Sequence, residues 1–183
     1  MRRVIIGANK EGKSAVLKDG ENARFVATDL DPQKGHLYDE IWATDGIPVL
    51  PGSVDEDPTV TMTLFTPPPG GTRCRVLVHQ TEKVQAEMFK LAAERGIDIA
   101  KEFKRIAPGF DDMDLATGMH TTYTIDYGYF ISGQIDLELD DGKVVHFKAG
   151  DSYVLKGTRH AWHNRYDEPC IWIVFMIGTH KRS

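Results

Sequence analysis

Two histidines and a carboxylate, His120, Asp126 and His160, stand within the stretch Gly118 to Asn164, GMHTTYTIDYGYFISGQIDLELDDGKVVHFKAGDSYVLKGTRHAWHN. Two imidazoles and one carboxylate leave several coordination positions open and form the ligand type of non-haem Fe(II) oxygenases, where substrate or O2 completes the shell. Imidazole also suits zinc and nickel, and a carboxylate suits manganese, so the ligand list alone does not choose the metal; Fe is the first expectation, with Mn, Ni or Zn as alternatives. The same pocket has a metal-free use, in which Thr122 and Asp126 hydrogen-bond around a polar ligand. Asp126, His160 and the neighbouring Tyr123 are the candidate catalytic groups, the tyrosine as a phenol donor. Tyr127, Tyr129 and Trp162 flank the set as stacking faces, and strand alternation turns half of these aromatics outward.

The other histidines carry less. His163 lies at an odd offset from His160, which in a strand puts it on the opposite face. His79 ends a strand and could reach the barrel mouth, although a lone histidine there more often reads as structural, and His36, His146 and His180 have no spacing that points to a site. Asp111, Asp112 and Asp114 lack the EF-hand spacing and read as a solvated turn. No Gly-rich phosphate loop, Ser-His-Asp order or activated-cysteine context is present.

The elements that must position these groups are short and β-rich. Arg3 to Ile6 and Ser14 to Leu17 read as a hairpin around Asn9–Gly12. Residues 24–44 carry enough apolar side chains to dock, but not enough for their own core. Pro48, Pro51, Gly52 and Pro58, with the charged Asp55 to Asp57, mark an exposed loop. Val60, Met62 and Leu64 alternate with threonines, predicting a half-buried strand over Thr59 to Phe65 at which the barrel begins. Arg73 to His79 alternates again, with Cys74, Val76 and Val78 on one face. The period then lengthens: Val84, Met88 and Leu91, followed by Ile99, Phe103 and Ile106, predict two amphipathic helices, the second capped by Asp98 and ended by Pro108-Gly109. They read either as a lid over the pocket or as packing at a barrel end. Asp140-Asp141-Gly142 is a hairpin signal, and the unbroken apolar run Cys170 to Ile177 predicts a central strand buried on both faces. Many short strands without βαβ alternation favour a barrel or jelly roll.

Aligned on Gly133, the stretch resembles the two signature motifs of the cupin superfamily. His120 falls on the first histidine of the first motif, Thr122 on the second and Asp126 on the glutamate. Gly150-Asp151, Leu155-Lys156-Gly157, His160 and Asn164 follow the second motif, with one residue fewer after Gly150. EIWATDG, TIDYG, LDDG and GTRHAWHN are further similar to a branch of bacterial and fungal single-domain cupins. The resemblance implies an all-β, cupin-type double-stranded β-helix (jelly-roll) barrel over 46–183, a helical insertion at about 82–106 and an N-terminal arm over 1–45. It further implies a small-molecule metalloenzyme with His120, Asp126 and His160 as metal ligands. A dioxygenase acting on an oxygenated organic compound is the first expectation. Lyase, isomerase or cyclase chemistry, or ligand binding without turnover, are the alternatives.

A chain of 183 residues buries roughly 70% of its unfolded surface as one domain, with no need of a disulfide or structural metal. The net charge of −5 and the absence of a basic run argue against a nucleic-acid partner. No stretch approaches the about 20 apolar residues of a membrane span. MRRVIIGANKEG is too short an apolar run for a signal peptide, and Cys74 and Cys170 have no paired spacing, so a cytoplasmic protein with reduced thiols is expected.

The apolar-bearing arm, and the tendency of cupins to pair through such segments, predict a homodimer to which residues before about Gly46 contribute. Light scattering at micromolar concentration should return the mass of two chains; the mass of one, with the arm folded on its own barrel, overturns this.

Overall fold

The computed structural model describes residues 1–28, 35–50, 52, 56–110 and 112–181. An N-terminal hairpin, β1 (Arg2–Ala8) and β2 (Ser14–Glu21), is followed by β3 (Phe25–Ala27), β4 (His36–Thr44) and a helical turn α1 (Pro58–Thr61). Strand β5 (Thr72–His79) leads into helices α2 (Glu82–Arg95) and α3 (Ile99–Ile106). The remainder is strands: β6 (Thr124–Ser132), β7 (Gln134–Glu138), β8 (Val144–Lys148), β9 (Ser152–Lys156), β10 (Ala161–His163) and β11 (Cys170–Gly178). A six-stranded sheet runs β3-β4-β5-β11-β6-β9, and a three-stranded sheet runs β10-β7-β8. They pack face to face through aromatic rings. Phe130 of β6 lies 4.9 Å from Phe147 of β8, 6.1 Å from Trp162 of β10 and 5.8 Å from Trp172 of β11. This is the jelly-roll barrel that the alternating runs predict.

Two glycines set its shape. Gly133, at φ 77°, makes the corner between β6 and β7, where any Cβ would press on the Pro169 carbonyl. Gly128 points into the barrel with φ in the ordinary range, but the Tyr153 ring occupies the place its Cβ would take.

The helices end where the sequence signals them. Thr81 caps α2 by accepting from the Val84 amide, Gly96 closes it in the left-handed conformation, and Asp98 caps α3 by accepting from the Lys101 amide. The strand expected over Thr59 to Phe65 is instead a helical turn at its start. Asp57 accepts from the Thr59 amide and Pro58 occupies the first helical position, a start signal that overrides the alternation of Val60, Met62 and Leu64. The sheet strands supplied ahead of β5 are β3 and β4, the latter pairing Glu40 with Arg75 and Tyr38 with Leu77. Strand β11 is central as expected, between β5 and β6, but its two faces differ: Trp172, Val174 and Met176 are buried while Phe175 is exposed. Tyr127, Tyr129, Ile131 and Val154 are exposed beside it, so this chain carries an apolar stripe on the outer face of the large sheet. No helix among the described residues is long and apolar enough to cross a membrane.

The N-terminal hairpin is tied down by one side chain. The Arg3 guanidinium reaches from β1 to the Asp57 carboxylate, the Ile41 carbonyl (3.1 Å) and the Thr59 hydroxyl (3.1 Å), while Lys18 adds a contact to Asp57 at 3.2 Å. Asp57 is therefore not part of an exposed loop; Pro51 and Asp55, expected beside it, lie outside the described residues. Burial raises its pKa, but hydrogen bonds from Thr59, Arg3 and Lys18 outweigh that and hold the carboxyl at about 2. Arg3→Met leaves this carboxylate with one exposed cation. It should lower unfolding stability in urea by about 3 kcal/mol and speed proteolysis within β1 and β2; wild-type stability and cleavage would show that the hairpin is held by other contacts.

Candidate functional site

The ends of two chain segments meet at His120 and His160. Each donates its amide to the other's carbonyl at 2.9 Å, an antiparallel pair outside the regular strands. Opposite residues of such a pair project their side chains to the same face, and the two imidazole centroids lie 4.2 Å apart. The His120 Nδ1–H donates to the Gly118 carbonyl and the His160 Nδ1–H to the Thr158 carbonyl, both at 2.8 Å. A carbonyl only accepts, so both tautomers are fixed and both Nε2 atoms carry lone pairs. Burial holds both rings below the ordinary imidazole range, His160 at about 4 with His120 as a second cause. They are neutral at pH 7.

Both rings open on a cavity of about 500 Å³ between the sheets and helices α2 and α3. Asp126, inward-facing on β6, lines the same cavity. Burial pushes its carboxyl up to about 6, against the opposing pull of the Thr124 hydroxyl and the Arg75 charge, and its Oδ1 has no hydrogen-bond partner. Thr122 is buried beside it and accepts from the Thr124 hydroxyl at 2.8 Å. Thus His120, Asp126 and His160 share one cavity. Among the described residues, however, no three His, Cys, Asp or Glu side chains converge closely enough to hold one ion.

Tyr123 is placed apart from these three. It is 44% exposed, faces away from the barrel interior with Tyr127 and Tyr129, and lies beneath Lys181 at 5.1 Å in a separate depression of about 320 Å³. Trp162 faces inward, 6.0 Å from the His160 ring. His163 sits between Glu82 and Glu138 at 3.2 Å from each, at the rim. His79 is half-buried in the cavity wall, its Nε2 3.1 Å from the Gln85 amide nitrogen. His36 pairs with Asp39 and His146 with Asp136. The expected acidic turn is described only from Asp112 onward, Asp111 lying outside the described residues. Cys74 and Cys170 are free, and burial raises both thiols, Cys170 to about 12, which removes them as nucleophiles. Helices α2 and α3 form one wall of the cavity with Met88, Phe89, Ile99, Phe103 and Ile106.

One cavity residue, Arg75, and its partner Glu40 escape the sequence patterns. Arg75 of β5 and Glu40 of β4 are opposite each other and fully buried, 2.8 Å apart. In β5 the structure turns Arg73 and Arg75 inward and Cys74 and Val76 outward, the reverse of what a polarity rule gives. No spacing in the sequence marks either residue, and Glu40 follows a second acid, Asp39.

The family described as "Cupin domain" matches residues 106–176. "Phomopsin biosynthesis cluster protein D" of Diaporthe leptostromiformis is 51% identical over 47 residues, 26% of this chain and 25% of that protein. "Oryzines biosynthesis cluster protein J" of Aspergillus oryzae is 42% identical over 45 residues, 25% of each chain. The chain thus spans about a quarter of the length of these relatives. Among solved structures, a conserved protein with a double-stranded β-helix domain from Klebsiella pneumoniae shares 13% identity over 88% of this chain and 83% of its own, with a TM-score of 0.41.

Burial, then the nearby His163, keeps His79 neutral down to about pH 4. The unfolded chain takes up this proton near pH 6.5, so the stabilising effect is complete above 6.5 and is lost as pH falls through 4. Asp126 has the opposite sign: its stabilising effect is complete below about 4 and is lost as pH rises through about 6. His79→Gln should therefore remove about 3 kcal/mol of the acid-induced stability loss between pH 6.5 and 4, read from urea unfolding at each pH. Parallel wild-type and variant profiles would refute a His79 held neutral by the fold.

Proposed function

We propose that this chain, which belongs to the cupin superfamily through residues 106–176, is a small-molecule metalloenzyme acting on an oxygenated organic compound in the cavity of His120, Asp126 and His160. Oxygenation is its first chemistry, with lyase, isomerase or cyclase chemistry as the alternative. The observation that carries this is the histidine pair: two neutral imidazoles, each locked by a backbone carbonyl into the tautomer that offers Nε2. Such a donor pair, oriented from behind, fits Fe, Ni or Zn as two of the ligands. His120 and His160 would hold the ion, and a divalent ion there would supply Lewis-acid polarisation or a redox centre for O2 chemistry.

The chain's own groups have separate work. Asp126, with a partnerless oxygen and a pKa near 6, exchanges a proton with substrate close to neutral pH, or turns to join the two imidazoles as a third ligand. Phe110, set edge-on to His120 at 5.1 Å, and Trp162 exclude water from the two rings. The names of the two fungal relatives, both biosynthesis cluster proteins, agree with a role in making or tailoring a small molecule. The expected homodimer belongs to the same proposal, and the exposed stripe of Tyr127, Tyr129 and Phe175 is a surface it can use. That Asp126 and the histidine pair do not form a closed three-ligand group among the described residues favours a second reading, a barrel that binds its ligand without a metal.

Elemental analysis and circular dichroism on three variants separate these. His160→Ala should strip the ion from a folded barrel, whereas Thr122→Ala should weaken affinity by no more than about 10–100-fold. Asp126→Asn keeps the shape and removes the charge. It should retain metal if Asp126 acts only on protons and lose most of it if Asp126 is a ligand. Equal metal in wild type and His160→Ala dismisses His160 as a ligand. A wild type that takes up none of Fe, Mn, Ni or Zn leaves the binding barrel.

A further inference from the structure

Arg73 and Arg75 face the same side of β5, and both are fully buried, but they are not equally satisfied. Arg73 uses its nitrogens on the carbonyls of Leu64, Thr44 and Thr72 and on the Asp45 carboxylate. Arg75 donates from Nη2 to the Phe65 carbonyl at 2.7 Å and faces Glu40, while Nε and Nη1 have no hydrogen-bond partner. Its Cζ also lies over the rings of Phe65 and Tyr38, 4.2 and 4.8 Å from their centroids. A buried N–H left unmade costs about 1–3 kcal/mol, more on a charged group, and native structures seldom leave two on one side chain.

Arg75 lines the same cavity as His120, Asp126 and His160, and is the only lysine or arginine among its described lining residues. We propose that Arg75 is the anion-recognition residue of this cavity, and that the compound bound there is a monocarboxylate whose apolar body lies along Met88, Phe103 and Ile106. Each unpartnered N–H of this guanidinium can give a carboxylate oxygen one charge-assisted hydrogen bond. A doubly charged phosphate is disfavoured, because Glu40 already offsets the guanidinium and Glu82, Glu102 and Asp126 add carboxyls to the same walls. Met88, Phe103 and Ile106 then give the rest of the molecule an apolar lining. The inference rests on the small-molecule part of the function proposed above and not on its metal.

Isothermal titration of the full chain, as purified and after chelation, with hexanoate and 4-phenylbutyrate against hexanamide and 4-phenylbutyramide tests it. Both carboxylates should bind at least about 10-fold more tightly than their amides, with and without metal, since a hydrogen bond to a charged group is worth about 1.5–3 kcal/mol. The double variant Glu40→Gln/Arg75→Met removes both charges without leaving one unpaired, and should keep the wild-type circular dichroism while losing the preference. If that variant does not fold, Arg75→Lys keeps the charge without the planar fork and should weaken the carboxylates but not the amides. A preference that is undiminished in either folded variant, or that vanishes on chelation, overturns the role of Arg75, the second result assigning the anion to the metal. Equal binding of acids and amides overturns it while leaving the small-molecule reading intact. Binding of neither class up to millimolar concentration sinks both, and metal uptake by His120 and His160 still stands or falls separately.

Discussion

The reciprocal backbone pair between His120 and His160 is the constraint on which the site depends. Two amide-to-carbonyl bonds fix the separation of two segments that are forty residues apart in the chain, and they fix it at a place where both side chains must face the cavity. Everything between them, β6 through β9, is the loop this pair closes. The register of β6 against β11 and β9 then decides that Asp126 points inward and Tyr127 outward. A slip of one residue would exchange them and empty the cavity of its carboxyl.

The electrostatics of the interior follow from how little water reaches it. Burial drives His79, His120 and His160 toward their neutral forms and the Asp126 and Glu40 carboxyls in the same direction. The buried guanidinium of Arg75 is the exception, because arginine does not give up its proton. The cavity therefore combines weakly basic nitrogens, a carboxyl poised near neutrality and a permanent cation. That polar set sits opposite an apolar wall contributed by helices α2 and α3.

The sequence reveals much of this scaffold, for definable reasons. Helices α2 and α3, the turn at Asp140-Asp141-Gly142 and the central place of β11 rest on local signals: a 3.6-residue period, caps, and an unbroken apolar run. His120, Asp126 and His160 were legible as one pocket because the motif spacing carries them to it. Two kinds of feature were not legible. The turn at Pro58 was hidden by an alternation that mimics a strand, although Asp57-Pro58 is a helix start in its own right. Arg75 and Glu40 were hidden because inward charges on neighbouring strands look like a solvated face until the cross-strand register that pairs them is known. The outward placement of Tyr123 likewise depends on which parity of β6 faces in, which its residue types leave open.

The ring cluster that joins the two sheets also gives the molecule an optical property. Trp162 and Trp172, 5.5 Å apart, both line the cavity, and Trp162 stands edge-on to His160. Indole emission responds to nearby protons, paramagnetic ions and changes in polarity, so events at the histidine pair are written into the intrinsic fluorescence of the barrel. Trp42, on β4, does not line the cavity and adds a background to that signal. Occupancy of this cavity can therefore be followed in the unlabelled protein, with no knowledge of what the occupant becomes.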